Sequence, residues 1–198
     1  MFYLCNNLTS IDFSGFDTSS LTDVYYMFGE CRSLKSLDLS GFNTSKVTNM
    51  EGMFSGYIYD GEITICGLTT LDLSSFDTSK VTSMTYMFKL CKRLTTLDLS
   101  SFDTSSVNKM EGMFERCNAL TSLLLGPNFF KTSAVTSIEF SDCSKWANDT
   151  VITSLVTNSY DRASAGLNTL TLQLHVNTKA VLSDEQKAAI TSKGYTIA

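Results

Sequence analysis

Proline occurs once in 198 residues, at Pro127. A chain with so little proline must turn by other means, and its abundant Ser and Thr suit short, stereotyped, hydroxyl-rich turns. No apolar run approaches the roughly 18 residues that a membrane-spanning helix needs, and the first residues lack the basic and apolar regions of a signal peptide. No transmembrane segment is expected, and the chain as given carries no export signal. Basic clusters are missing too: 15 Lys and Arg stand against 20 Asp and Glu, a net charge of −5. Nothing is therefore available to neutralise a phosphate backbone, which excludes nucleic acid as a partner. Histidine is single, and His175 is read as an ordinary surface residue opposite Leu172 and Leu174. No Ser-His-Asp set, Gly-x-Ser-x-Gly elbow, phosphate loop or metalloprotease motif occurs, so no enzyme and no cofactor is expected.

What the chain has in abundance is itself. Met-Phe pairs stand at Met1-Phe2, Met27-Phe28, Met53-Phe54, Met87-Phe88 and Met113-Phe114. Four spacings separate them, three of 26 residues and one of 34, so the third unit holds eight extra residues within 55–67. In Leu37-Asp38-Leu39-Ser40 the leucines alternate with polar residues, the pattern of a short strand. The same pattern recurs at Ile11–Ser14, Leu71–Ser74, Leu97–Ser100 and Leu123–Leu125. Val47, Met50, Met53 and Phe54 have the spacing of one or two helical turns, with Thr48 as a candidate cap. A unit so small cannot bury its own apolar face, so successive units must stack. The repeat pattern decays after Leu125, and Cys143 is its last marker.

On these residues the chain resembles the BspA-like leucine-rich-repeat family of bacterial surface proteins. The resemblance covers about residues 1–143. It implies an α/β repeat fold: a right-handed leucine-rich-repeat solenoid of about five coils, with a parallel β-sheet on its concave face. It also implies export, display at the cell surface or release, and adhesion to host proteins or other bacteria. Residues 144–198 are read as a small α+β C-terminal cap. A helix is expected over 147–160, a strand over Leu170–Val176 and a second helix after the capping box Ser183-Asp184-Glu185-Gln186. Gly194 should end that helix before a last strand, Tyr195–Ile197. The chain begins inside a unit, so an open N-terminal edge able to pair with upstream coils is expected on a monomer.

Six cysteines invite a disulfide framework, but Cys5, Cys31, Cys91, Cys117 and Cys143 share one repeat position and Cys66 is its displaced copy. In-register stacking would separate their Cβ atoms by more than a disulfide allows, so a structural ladder of free thiols is expected. Parallel thiols do not converge on a metal ion either. Asp12, Asp38, Asp72 and Asp98 form an outward column of like charges that repel one another. Ser10, Ser36, Thr70, Thr96 and Ser122 on the same face could compensate by side-chain bonding, or a cation or cationic partner could. A carboxylate-based glycosidase would need two carboxylates in different environments, whereas these repeat with near-identical neighbours. Asp17, Asn43, Asp77 and Asp103 each precede Thr-Ser and are read as turn residues.

The insertion contains Tyr57-Ile58-Tyr59-Asp60-Gly61-Glu62-Ile63-Thr64-Ile65. Asp-Gly between two β-prone runs predicts a hairpin, with Tyr57 and Tyr59 on one face. The expected function is a non-enzymatic binding or adhesion module for an extracellular protein or glycan. Its candidate ligand-binding residues are the aspartate column together with Tyr57 and Tyr59. The alternative is a structural spacer within a larger surface protein.

Overall fold

In a computed structural model the described residues are 1–140, 142–145, 160–174 and 176–198. The expected helix over 147–160 lies almost wholly outside them, as does His175. The elements are β1 (Tyr57–Tyr59), β2 (Glu62–Thr64), β3 (Thr96–Leu99), β4 (Ser122–Leu125), β5 (Ser137–Phe140), β6 (Leu170–Leu174), α1 (Val176–Val181), α2 (Asp184–Ser192) and β7 (Tyr195–Ile197). They form three separate small sheets: antiparallel β1-β2, parallel β3-β4 and parallel β5-β6-β7.

This corrects the expected right-handed leucine-rich-repeat solenoid. A continuous parallel sheet is absent among the described residues, because the segments at Ile11, Leu37 and Leu71 form no ladder. Their leucines are still inward, as at Leu37 and Leu39, so the alternation reports burial and not pairing. The physical cause lies in the polar partners. Asp12, Asp38 and Asp72 each accept the backbone N–H two residues on, from Ser14, Ser40 and Ser74 at 2.8, 3.0 and 2.9 Å. Asp98 accepts the same bond from Ser100, and β3 ends at Leu99 after four residues. This local turn thus keeps every such segment short: it limits pairing to single short ladders and prevents a continuous sheet without forbidding a ladder.

The helical turns expected from Val47 are also absent. Tyr26, Gly52, Tyr86 and Gly112, the residues before each methionine, have φ values of 45°, 60°, 56° and 58°, which a right-handed helix cannot contain. Their amides bond outward to the next repeat instead. Met50, Gly52 and Phe54 donate to Ser83, Thr85 and Met87 at 2.9, 2.8 and 3.0 Å. Thr48 caps nothing: its hydroxyl donates to the Thr22 carbonyl at 3.2 Å. Parallel bridges Asp23 to Asn49, Asn49 to Ser83 and Ser83 to Lys109 run along this side.

The core is a set of in-register columns. Phe2, Phe28, Phe54, Phe88, Phe114 and Phe140 stack with centroid separations of 5.7, 5.9, 5.8, 5.9 and 5.2 Å. The Phe54 to Phe88 step spans the insertion and is no longer than its neighbours, so the extra residues are extruded without disturbing the core. Buried threonines tie the other side, where Thr44 accepts from the Asp77 amide at 2.8 Å and donates to the Asp77 carbonyl at 3.0 Å.

At the C-terminal end β6 and β7 extend the three-stranded sheet. Ser183 accepts from the Gln186 amide and Gln186 reaches back to the Ser183 amide at 2.8 Å, completing the capping box. Gly194 follows the α2 cap at φ 87°, where a Cβ would be strained. Arg162 is fully buried and ties this end to the last repeat, donating to the Phe130 and Thr132 carbonyls at 2.7 and 2.6 Å.

All six cysteines are free. Cys31, Cys91, Cys117 and Cys143 donate their thiols to the carbonyls of Phe2, Phe54, Phe88 and Phe114 in the preceding repeats, at 3.1 to 3.5 Å. Burial pushes the Cys31 thiol up to about 11 and the Cys143 thiol up to about 12, and holds Cys91 and Cys117 well above the ordinary value. The folded protein should therefore resist a thiol reagent at pH 8, with the half-buried Cys5 reacting first, while the unfolded protein should yield six thiols without reductant. Fewer than six would show that disulfides had formed.

Candidate functional site

The insertion builds one wall of the site. Tyr57 pairs with Thr64, Ile58 with Ile63 and Tyr59 with Glu62 across the hairpin. Asp60 and Gly61 turn it at φ 49° and 80°, the positive values that a two-residue type I′ connection requires. Tyr57 and Tyr59 lie on one face and are 40% and 73% exposed.

The opposite wall comes from the first two repeats. Tyr3, Leu4 and Glu30 face Tyr57, Tyr59, Asp60, Glu62 and Thr64 around a groove of about 630 Å³. A smaller groove of about 280 Å³ continues it between Tyr3, Tyr25, Tyr26 and Tyr57. Tyr3 meets Tyr26 edge-on at 5.6 Å, and Tyr25 leans on Tyr26 at 4.8 Å. Five of the eight tyrosines therefore line one connected surface.

Its electrostatics are one-sided. Glu30 is 4% exposed and lines the larger groove with Asp60 and Glu62. A hydrogen bond to the Glu30 carboxylate, aided by burial, pushes the Tyr3 phenol up from its ordinary value. Burial, then Tyr25 and Glu51, pushes Tyr26 up to about 12. The Tyr3 phenol is thus engaged as a donor to Glu30 inside the groove, and the Tyr3 and Tyr26 rings serve chiefly as contact surface. Among the described residues no Lys or Arg lines either groove. Arg32, Lys35 and Arg93 lie instead in a separate groove along the far side of the hairpin.

The aspartate column is placed differently from the tyrosines. Asp12 and Asp38 border a shallow groove with Ile11, Phe13, Ser14 and Ser40, but no ring faces them from a second wall other than Phe13. Ser100 bonds Asp98 at 2.8 Å as its equivalents bond the others. These bonds hold the Asp12, Asp38 and Asp72 carboxyls below the ordinary value of 3.8, against the smaller opposing effects of burial and, for Asp12 and Asp72, of Asp38. The compensation thus comes from the backbone and Ser two residues on, not from the Ser and Thr preceding each leucine. Among the described residues no three His, Cys, Asp or Glu side chains are placed to hold a metal ion.

A depressed folded pKa stabilises the protein above the unfolded value and loses that stabilisation as pH falls through the folded one. The melting temperature should therefore fall on acidification below about pH 4, the ordinary carboxylate range. Asn keeps the accepting Oδ1 but removes the charge, so the Asp12→Asn, Asp38→Asn and Asp72→Asn triple variant should be less stable than the parent at pH 7, where the parent's carboxylates are ionised, and should show a flatter acid decline. A variant as stable as the parent at pH 7 with an unchanged acid decline would show that these three carboxylates do not carry the acid dependence.

Tyr3, Tyr25, Tyr26 and Glu30 were not expected at the site. Laying the repeats over one another exposes the signal: the position before each methionine reads Tyr26, Gly52, Tyr86, Gly112. A Cβ on Gly52 would run into the Tyr26 ring, and one on Gly112 would come within 2.5 Å of Tyr86. Each tyrosine therefore lies over the glycine of the next repeat. Tyr86 also carries Lys89 Nζ at 4.4 Å from its ring centroid, and that ammonium pairs with Glu115 at 2.9 Å.

A family described as "Mycoplasma protein of unknown function, DUF285" matches residues 1–63 and 66–163. The chain belongs to this family. Membership in DUF285 corrects the assignment to the BspA-like leucine-rich-repeat family, which is not the one that matches. The DUF285 match includes the repeats, β1 and Arg162. No curated protein and no solved structure matches the chain. No helix among the described residues is long and apolar enough to cross a membrane.

Proposed function

We propose that this chain is a non-enzymatic binding module, displayed at a cell surface or secreted, which holds an extracellular macromolecule as a monomer. The supporting observation is the extruded hairpin, which breaks an otherwise uniform stack and sets Tyr57 and Tyr59 opposite Tyr3 around an open groove. Tyrosines offer large amphipathic contact area with few torsions to freeze, which suits recognition. The site combines these rings with acceptors from Glu30, Asp60 and Glu62 and donors from phenol groups. It holds no nucleophile paired with a base, and the repeated aspartates are engaged in turns, so binding is the better use of the geometry than hydrolysis.

The test replaces residues 57–65 with a short Gly-Ser link. The core column is continuous across the insertion, so the variant should melt close to the parent. Its attachment to epithelial cells, mucin and immobilised matrix proteins should fall to background. Unchanged attachment of a folded variant would remove the binding role from this groove and favour a spacer.

A further inference from the structure

The Tyr86 site shows what a tyrosine in this column does with a cation. The Lys89 ammonium sits over the Tyr86 ring at 4.4 Å and pairs with Glu115 at 2.9 Å, so ring, cation and carboxylate form one unit. The position that corresponds to Lys89 in the second repeat is Gly29. Around Tyr26 the rings are more numerous, with Tyr3, Tyr25 and Tyr57 beside it. Tyr3 and Tyr57 continue into the adjoining groove, where Tyr59 joins them and Glu30, Asp60 and Glu62 supply the carboxylates. The cation alone has no counterpart there, since neither groove has a Lys or Arg among its described lining residues.

We infer that the tyrosine groove receives the cationic side chain of a basic peptide segment in a partner protein. A Lys or Arg head group would lie against the Tyr3, Tyr57 and Tyr59 rings, its charge met by Glu30 within the groove and by Asp60 and Glu62 on the hairpin. A cation over an aromatic face is attracted by the ring quadrupole, more strongly when it is desolvated, and the carboxylates add to that attraction at short range. Glu30 at 4% exposure is poorly screened by salt, whereas Asp60 and Glu62 are exposed, so part of the attraction is salt-sensitive. A neutral glycan would use the same rings and could donate its hydroxyls to the carboxylates, but it would gain no charge–charge attraction from three carboxylates of one sign. This inference rests on the binding role proposed above and adds the chemistry of the ligand.

The experiment titrates the intact protein by calorimetry with a lysine-rich decapeptide, with the same peptide fully acetylated on its lysines, and with an N-acetylglucosamine oligomer. The basic peptide is expected to bind, to weaken as salt rises, and to bind at least about ten-fold more tightly than its acetylated form. Tyr59→Ala and Glu62→Gln, both at exposed hairpin positions, should each weaken it several-fold to about ten-fold. Arg93→Ala, on the other side of the hairpin, should leave it unchanged. Tyr57→Phe keeps the ring face and should retain most of the affinity. Equal binding of the acetylated peptide, binding of the oligomer alone, or no binding of the basic peptide would overturn the assignment. Loss of cell attachment on hairpin replacement without binding of the basic peptide would overturn this ligand chemistry and leave the binding role intact. Binding of the basic peptide with undiminished cell attachment would support the chemistry and reject the role.

Discussion

Replacing Arg162 with Ala is expected to destabilise the protein by about 3–5 kcal/mol, the cost of leaving several buried polar groups without partners. Arg162 is fully buried, and its guanidinium donates to the carbonyls of Phe130, Thr132 and Asn168. These carbonyls belong to the last repeat and to the approach to β6, so one side chain fixes the position of the C-terminal sheet on the stack. Removing it leaves a cavity the size of an arginine and three acceptors with less to bond. At this chain length the loss corresponds to a fall in melting temperature of roughly 10 °C. Arg162→Lys should recover only part of it, because an ammonium lacks the planar fork that reaches carbonyls in several directions. A variant that melts within a degree or two of the parent would mean that the cap is held by β5-β6 pairing alone.

Phe88→Ala should cost a similar amount, about 3–5 kcal/mol. The Phe88 ring is 0% exposed and stacks on Phe54 at 5.8 Å and Phe114 at 5.9 Å. Its loss opens a cavity in the middle of the column, and the walls cannot close on it because their backbones are tied, as by the Phe88 amide to Met113 at 3.0 Å. Phe2→Ala should cost much less, since Phe2 is only partly buried at the open end of the same column. Chemical denaturation of the two variants side by side checks the difference. Equal losses would indicate that the column does not act as a closed interior.

The repeat period made the buried columns visible, because the four Met-Phe pairs from Met27 to Phe114 sit in one core whatever backbone carries them, and only the first pair, with Met1 exposed, does not. The same residues misled on backbone shape. Leu37-Asp38-Leu39 alternates as a strand does, yet Asp38 turns back onto Ser40 and no ladder forms. Met50 to Phe54 has helical spacing, yet Gly52 is left-handed and its amide bonds the next repeat. Hydrophobic period reports which side chains point inward; where the amides go depends on neighbours that one repeat alone does not reveal. Local signals fared better. Asp60-Gly61 closes its hairpin and Ser183 with Gln186 caps α2, since both are decided within four residues.

The site was half legible for the same reason. Tyr57 and Tyr59 could be placed on one face from the hairpin alone. Tyr3, Tyr25, Tyr26 and Glu30 reach them only through stacking, across a separation in sequence of about thirty to fifty residues. Asp12, Asp38, Asp72 and Asp98 were legible as a column of like charges in need of compensation, but not its source, which is the backbone N–H two residues on from each.

Which of these two surfaces meets a partner can be measured directly. Attachment to epithelial cells, mucin and matrix proteins would be compared for the parent, for Tyr57→Ala with Tyr59→Ala, and for Asp12→Asn with Asp38→Asn, each first shown to be folded at the assay temperature. The account predicts that the tyrosine pair loses attachment while the aspartate pair keeps it. Retained attachment in the tyrosine variant, or loss confined to the aspartate variant, would contradict the placement of the binding site in the tyrosine groove.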